Sequence, residues 1–445
     1  MVSTRTLLKK VLNVKDIVVT GTMLYKDVFN RQCLDIEARP VACKRNRCPY
    51  CGRKCSGYDR AGRGYSIWRS LDFGGTIVYI KARRNRVQCP EHGVVTASVP
   101  WAYAGSRFTK DFDQTAAWLA TELSRKAVSR YMRIDWATVG NCISRTLNDI
   151  EPYRQKRLDN LVRIGIDETS YKKGHKYITV VINHDTNTVV WAAEGKGKEV
   201  LEKFYKSLTE EQRNSIRVTT SDAANWIEEC IKTYTPNSVR CMDLFHVVQW
   251  VTDGLNEVRN EARQEAYQEY QRRKKEHPRK VGHPAKNDTI SQAITEARKE
   301  TTEIKQAKYA LGKNPEHLTE TQQIQLSMIA ERHPKLYAAY LLKEDLRLIL
   351  KIKDPRVAET ELNNWIQRAA NSATEQFQKI SETIRKEKQR IINAIREQMN
   401  NARIEAINNK IKLIIRRAYG FRNIENLLDT VYLICSNLVI PLPNR

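Results

Sequence analysis

Two aspartates at the ends of apolar runs indicate what chemistry to look for. The run Leu161–Ser170 (LVRIGIDETS) alternates Val162, Ile164 and Ile166 with smaller or polar residues and ends in Asp167 and Glu168. That alternation is the period of a buried strand. A second run, Ile216–Thr220 (IRVTT), ends in Ser221-Asp222. A carboxylate at the end of a core strand is costly unless it is paired, hydrogen-bonded or metal-bound. Parallel pairing of the two strands brings their C-terminal ends together, and both carboxylates with them. Such acids can hold two Mg²⁺ ions ~3.5–4 Å apart, which activates a nucleophile and stabilises the leaving oxygen of a phosphodiester. Hard oxygen ligands suit Mg²⁺, or Mn²⁺ in its place. Asp167 shares its strand face with Gly165, which leaves open space beside the carboxylate, while Glu168 points to the opposite face. Each acid also has a local reading: Asp167 as a turn cap, and Asp222 as the N-cap of a helix Ala223–Thr233. These roles can coexist with metal binding.

The cysteines offer a second chemistry. The chain has ten, and Cys43, Cys48, Cys51, Cys55 and Cys89 fall in one stretch. Cys48-Pro-Tyr-Cys51-Gly and Cys89-Pro-Glu-His92-Gly are two knuckles, each with two residues between ligands. Together they supply the four N/S ligands of a tetrahedral, structural Zn²⁺ site: Cys48, Cys51, Cys89 and His92. Cys43 and Cys55 are rival ligands. With all four positions filled by protein, no open position remains for catalysis. The strands Ile77–Lys81 and Arg83–Val87 between the knuckles suggest a zinc ribbon.

The elements that position these residues follow from periodicity and caps. Residues 1–40 read as a hairpin. Residues 107–147 read as three short helices with caps at Thr109, Ser124 and Asp135, which fits a helix-turn-helix. The third helix bears Asn141 and Arg145 as DNA-binding candidates; Trp136 and Thr138 near its start are placed to reach base edges, and Arg125, Lys126, Arg130 and Arg133 to meet phosphates. Strands Tyr177–Asn183 and Thr188–Glu194 follow the Asp167 strand. After them come a helix Gly197–Leu208, the Asp222 strand and its helix, and a strand Val239–Met242 leading into Asp243-Leu-Phe-His246. From Val247 to Met399 the pattern is helical and charged, interrupted by a basic loop, Arg272–Lys286. Trp365 sits among Leu362, Ile366 and Ala369, a packing environment. A last helix, from about Asn401 to Arg417, places Glu405, Asn408, Asn409 and Lys412 on one polar face. Glu405 can complete a metal site near phosphates, with Glu397 and Glu425 as rival acids. Arg416, Arg417 and Arg422 surround two aromatics in a DNA-facing patch. Val431–Leu442 reads as a core-packing tail.

Charge points to the partner. Lys+Arg number 76 and Asp+Glu 51 in 445 residues, for a net charge of +25 and a pI of about 9.6. Such an excess fits a polyanion, with double-stranded DNA the first candidate. No apolar run approaches the ~18–20 residues of a membrane span. The N-terminus lacks the apolar region of a signal peptide. The cytoplasm is the expected setting.

The motifs taken together resemble a bacterial insertion-sequence transposase of the DDE class, and among these the ISL-three family. The carriers are RCPYCG (Arg47–Gly52), RRNRVQCPEH (Arg83–His92), GIDETSYKKGHKY (Gly165–Tyr177), SDAANW (Ser221–Trp226), DLFHVV (Asp243–Val248), WIQRAANS (Trp365–Ser372) and RIEAINNKIKLIIRRAYGFRN (Arg403–Asn423). The resemblance implies a multidomain α+β/α/β chain. Its parts are a zinc-binding domain (1–104), a helix-turn-helix (105–155) and a ribonuclease-H-like catalytic core (156–250). An all-α insertion (251–398) follows, then a segment carrying the core's last helix (399–445). It implies Asp167, Asp222 and Glu405 as the metal-binding catalytic triad, with Asp243 and His246 supporting the site and Trp365 as a base-stacking residue. It also implies terminal inverted repeats and target DNA as partners, and a homodimer or higher oligomer on DNA. Ala406 and Asn401-Ala402 depart from the family's usual Gly after the Glu and Asn-Gly before it, and His92 stands where Cys is commoner. The alternative reading is a transposase-derived, catalytically inactive DNA-binding regulator.

Overall fold

The computed structural model describes Thr6, Leu8 and residues 14–62, 64–276, 289–399 and 402–442. Two compact units emerge. One comprises Met1–Asp159, Thr188–Val190 and Asn409–Arg445; the other comprises Asn160–Asn187 and Trp191–Asn408.

In the first unit, β1 (Ile17–Lys26) and β2 (Gln32–Pro40) form the expected antiparallel hairpin. Asp27 closes its turn by accepting the N–H groups of Phe29 and Arg31. β3 (Ser56–Arg60), β4 (Ser66–Arg69), β5 (Ile77–Ala82), β6 (Asn85–Cys89) and β7 (Gly93–Thr96) follow. They divide into a four-stranded sheet, β1-β2-β5-β4, and a three-stranded sheet, β3-β6-β7. Both strands expected between the knuckles are present, β5 in the larger sheet and β6 in the smaller one. β5 contributes Val78 and Ile80 to one core with Trp68 and Trp101, whereas β6 turns away to carry Cys89. The apolar content of β5 commits it to the larger core.

The three helices are α1 (Lys110–Glu122), α2 (Arg125–Met132) and α3 (Trp136–Gln155). Thr109 accepts from the Phe112 N–H, Ser124 from that of Ala127 and Asp135 from that of Ala137, as the cap residues predict. Arg133 turns the chain between α2 and α3 with φ +54°. Leu433, Leu438, Ile440 and Leu442 pack into the same core as Phe112, Val128, Ile143 and Leu147, so the C-terminal tail packs as expected.

The second unit is built on β8 (Arg163–Lys172), β9 (Lys176–Asn183), β10 (Thr188–Glu194), β11 (Val218–Ser221) and β12 (Val239–Met242), in the order β10-β9-β8-β11-β12. β8 is central, antiparallel to β9 and parallel to β11, which is in turn parallel to β12. Between the strands run α4 (Lys198–Ser207), α5 (Glu210–Ser215) and α6 (Asn225–Tyr234). The chain then leaves the sheet through α7 (Leu244–Glu276). After it come α8 (Thr289–Gln306), α9 (Lys308–Gly312), α10 (Glu320–Arg332), α11 (Pro334–Ile349), α12 (Pro355–Ala370) and α13 (Glu375–Arg396). Of the basic loop expected at 272–286, residues 272–276 are the end of α7 and the rest lie outside the described residues. The last helices are α14 (Ala402–Arg417) and α15 (Ile424–Cys435).

Trp365 is 0% exposed, and its indole N–H donates to the Leu342 carbonyl at 2.8 Å. It is core to the helical bundle, along with Leu346, Leu362 and Phe377. The base-stacking role is therefore corrected: no face of the ring reaches solvent. Trp365→Ala is expected to lower unfolding stability by about 3–5 kcal/mol through cavity formation. Trp365→Phe is expected to cost about 1–3 kcal/mol through the smaller cavity and the loss of the indole bond to a carbonyl that keeps its helical partner. Chemical denaturation of the two variants checks both.

Candidate active site

The β8–β11 register sets the geometry of the acids. Val218, Thr219 and Thr220 pair with Arg163, Ile164 and Gly165. Two residues further on, Asp222 comes level with Asp167. β12 continues the alignment, since Ser221 pairs with Met242 and the Asp243 N–H donates to the Ser221 carbonyl at 2.9 Å. Asp222 and Asp243 thus stand just past the carboxyl ends of β11 and β12, level with Asp167 midway along β8, where its parallel pairing with β11 has ended; crevices beyond strand ends are where open α/β sheets bind ligands.

Asp167 is held from two sides. The Glu168 N–H donates to its Oδ1 at 2.7 Å, and the Asn408 amide donates to its Oδ2. Burial raises its pKa and the nearby Asp222 adds to the rise; the two hydrogen bonds and His246 oppose it. Asp222 accepts from the Ala224 N–H at 3.0 Å, forming an Asx turn one residue before the helix. The N-cap itself is Ala224, so the capping role proposed for Asp222 shifts to that turn. Asp243 is buried, accepts from the Phe245 N–H at 2.8 Å, and lies 3.9 Å from His246 Nε2.

Glu168 is the residue the sequence reading set aside. Its Oε1 is buried with no hydrogen-bond partner. Burial, with Asp222 and then Asp167, pushes its pKa up to about 7, against the pull of Lys196. Pairing of β8 with β11 ends at Gly165, so past that point successive side chains both feel the neighbouring acid. Two consecutive acids at a strand end were the available signal.

Glu405 is exposed on α14. One turn along from it, Asn408 meets Asp167, and the Ile404 side chain packs against Gly165. The three acids do not close into one ligand set. Among the described residues, the one group of three or more His, Cys, Asp or Glu side chains with ligand atoms within 4.8 Å of one another is elsewhere. Of the rival acids, Glu397 caps α13 and Glu425 lies in the first turn of α15.

That group is Cys48, Cys51, Cys89 and His92. Cys89 Sγ lies 3.7 Å from Cys51 Sγ and 3.6 Å from His92 Nδ1, and Cys48 Sγ lies 3.8 Å from His92 Nδ1. Gly52 and Gly93 follow the second ligand of each knuckle with φ +70° and +66°, a conformation that glycine adopts without strain. Burial pushes the Cys89 thiol up, but bonds from His92 and the backbone bring it down to about 6, toward the thiolate that binds zinc. Cys55 lies beside Cys89 but outside this set, with its Sγ 3.4 Å from the Arg53 carbonyl. These ligands fit structural Zn²⁺.

The basic residues assigned to DNA divide sharply. Arg145 forms a two-point bond with Asp113, which is 0% exposed. Arg125 is 5% exposed, lies between the Trp136 and Phe421 rings, and donates to Thr430 Oγ1 and the Asn426 carbonyl. Arg125 is internal, which corrects its assignment as a DNA contact; Arg145, its side chain 20% exposed, is committed to Asp113, and Trp136 is half-buried against Arg125. Arg133 is bonded to Asp72 and Arg417 to the Glu122 carbonyl. Lys126, Arg130, Asn141, Lys412, Arg416 and Arg422 are exposed, and Thr138 is half-exposed.

Comparison with known proteins agrees with this arrangement. The ISL3-type profile described as "Transposase" matches residues 164–430. The helix-turn-helix domain of transposase family ISL3 matches 97–146, and the zinc-finger of transposase IS204/IS1001/IS1096/IS1165 matches 44–92. A chain with these three modules in this order belongs to the ISL3 family of DNA-binding transposases. It is similar to the transposase for insertion sequence element IS1557 of Mycobacterium tuberculosis, with 40% identity over 407 residues, 92% of this chain and 89% of that one. It is also similar to the transposase for IS1001 of Bordetella parapertussis, with 24% identity over 394 residues, 88% of this chain and 89% of that one. No helix among the described residues is long and apolar enough to cross a membrane.

Two outcomes follow. The purified protein is expected to carry about one zinc per chain by metal analysis; Cys48→Ser or Cys89→Ser loses it, and Cys55→Ser retains it. In DNA titrations, Arg130→Ala and Lys126→Ala are each expected to reduce the log K against log [salt] slope by about 1. Arg145→Ala acts differently, lowering folding stability by about 3–5 kcal/mol by stranding buried Asp113.

Proposed function

We propose that this transposase cuts and joins DNA at the ends of its insertion sequence with divalent ions held by Asp167, Asp222 and Glu405. The carrying observation is the β8–β11 register, which aligns Asp167 with Asp222 at one sheet end. The strand order β10-β9-β8-β11-β12, with β8 antiparallel to β9 and parallel to β11, supports a ribonuclease-H-like core. The return of α14 after seven helices supports an all-α insertion before the last acid. The five-part division at 104, 155, 250 and 398 is the domain assignment that goes with this reading.

The donor set fits a hard cation. It consists of carboxylate oxygens, and Glu168 adds a buried oxygen with no protein partner, which a cation would satisfy. When bound, Mg²⁺ or Mn²⁺ polarises the scissile phosphate and favours the deprotonated attacking oxygen. The chain's own residues do the positioning. The Glu168 N–H and the Asn408 amide orient Asp167, while Asp243 and His246 support the site from the start of α7. Lys412, Arg416 and Arg422 offer exposed cations to phosphates. Hydrolysis at an element end would release a 3′-hydroxyl; its attack on a target phosphodiester would form the element–target P–O bond and break the target's own, expelling a target 3′-hydroxyl. The helix-turn-helix, through Thr138, Asn141, Lys126 and Arg130, reads the terminal inverted repeats together with the zinc module. Two ends per element call for two or more copies acting together.

One observation favours the non-catalytic reading: Glu405 does not join Asp167 and Asp222 in a single ligand set. Nicking of a duplex bearing the element's inverted repeat, with and without Mg²⁺, separates the two. Asp167→Ala, Asp222→Ala and Glu405→Ala are each expected to lose about three orders of magnitude in cleavage, about 4 kcal/mol of barrier, with duplex affinity retained. Undiminished cleavage by any one variant removes that residue from the site. Absence of metal-dependent nicking by the unaltered protein would favour the regulator.

A further inference from the structure

We propose that Asn408 is a positioning residue for Asp167, and that Thr169 sets which way its amide faces; this rests on the catalytic reading above. Asn408 bridges two β8 residues that share one strand face. Its Nδ2 donates to Asp167 Oδ2, and its Oδ1 accepts from Thr169 Oγ1 at 2.7 Å. A side-chain amide has two orientations, and here only one is satisfied. An ionised carboxylate can only accept, so the NH₂ must face Asp167 and the oxygen must face the hydroxyl. The reverse orientation sets oxygen against oxygen. Thr169 is 3% exposed, so water does not substitute freely for its proton.

With the Glu168 N–H on Oδ1 and the Asn408 amide on Oδ2, each carboxylate oxygen has one fixed donor and keeps acceptor capacity for a cation. The carboxylate plane is thereby set before any ion arrives. The same contact fixes the helix. Ile404 lies against Gly165 so closely that a Cβ there would be 2.7 Å from its Cδ1. α14 thus tracks β8 at two points, 404 on 165 and 408 on 167. Glu405 lies three residues before Asn408 on neighbouring faces of the helix. Holding Asn408 therefore also sets how far Glu405 must reach. The sequence places Asn408 on the polar face of this helix but gives no partner for it, since Asp167 is 241 residues away.

The test uses the full-length protein and two readouts, Mn²⁺ binding by calorimetry without DNA and the Mn²⁺ dependence of end nicking. Asn408→Ala and Thr169→Val are expected to weaken Mn²⁺ binding at least tenfold and to raise the Mn²⁺ concentration for half-maximal nicking in parallel. Thr169→Ser keeps the hydroxyl and is expected to restore both to within about threefold of the unaltered protein. Duplex affinity and the thermal unfolding midpoint serve as controls for a purely structural clasp. Unchanged Mn²⁺ affinity in a folded Asn408→Ala, or a Thr169→Ser as impaired as Thr169→Val, overturns the proposal while leaving the catalytic reading standing. If Asn408→Ala does not fold, the Thr169 pair decides alone. An unaltered protein that neither binds Mn²⁺ nor nicks overturns the catalytic reading, and this proposal with it.

Discussion

The parallel pairing of β8 with β11 is the constraint on which the second unit depends. Only three residue pairs define it, ending at Gly165 with Thr220, yet a one-residue slip would turn Asp222 to the other face of the sheet. Gly165 pins this register sterically. A Cβ at that position would stand 2.7 Å from Ile404, 2.8 Å from His184 Nε2 and 3.0 Å from Ile182. Any larger residue there would have to displace Ile404 or His184, so the open space expected beside Asp167 is filled by these side chains. His184 bonds Thr220 Oγ1 at 2.7 Å, and burial together with Arg403 lowers its pKa to about 4. It is thus a neutral link between β9 and β11 at neutral pH, and it adds no cation beside the acids.

What was legible in the sequence follows from how local each determinant is. Strand and helix positions came from periodicity and caps, and Thr109, Ser124 and Asp135 all cap as their positions imply. The zinc ligands were legible because each knuckle carries its geometry in five residues, including the glycine. The pairing of Asp167 with Asp222 was legible because both close short apolar runs that can lie parallel. The arginines were misread because charge is local and partnership is not. Arg145 finds Asp113 32 residues away, and Arg125 finds Thr430 305 residues away. An arginine on a predicted DNA-reading helix cannot be told from one that locks that helix to its neighbour until the partner is seen. The same holds for β5 and β6, adjacent in the chain but in separate sheets because their apolar contents differ.

Glu168 shows a different kind of miss. The two-residue alternation of a strand assigns consecutive side chains to opposite faces, and inside a sheet that rule holds. Midway along β8 the β11 neighbour ends while β9 continues, and burial makes both acids feel Asp222. Periodicity describes a strand with neighbours on both sides, and it fails where one neighbour stops.

The helical segment between β12 and α14 then has a mechanical consequence. The chain leaves the sheet at Met242 and returns at α14, so Glu405 is placed by everything in between. The segment is firmly joined to the sheet it left. Met242 and Val247 share one apolar core with Trp365, Phe377 and Ile395, and Asn393 donates to the Arg240 carbonyl at 3.1 Å. Glu228 on α6 accepts from Arg390 on α13 and pairs with Arg240 on β12 at 3.0 Å. The Arg390 bond, with further help from Lys232 and Arg240, holds the Glu228 carboxyl at about 2 despite its partial burial. α13 is therefore clamped to β12 by a charged network that stays ionised across the neutral range. The helix returns to the sheet from this fixed point within a few residues, which limits where Glu405 can lie. The helical segment is a strut as much as a module, and Asn408 is the first side-chain contact beyond it that grips the Asp167 carboxylate.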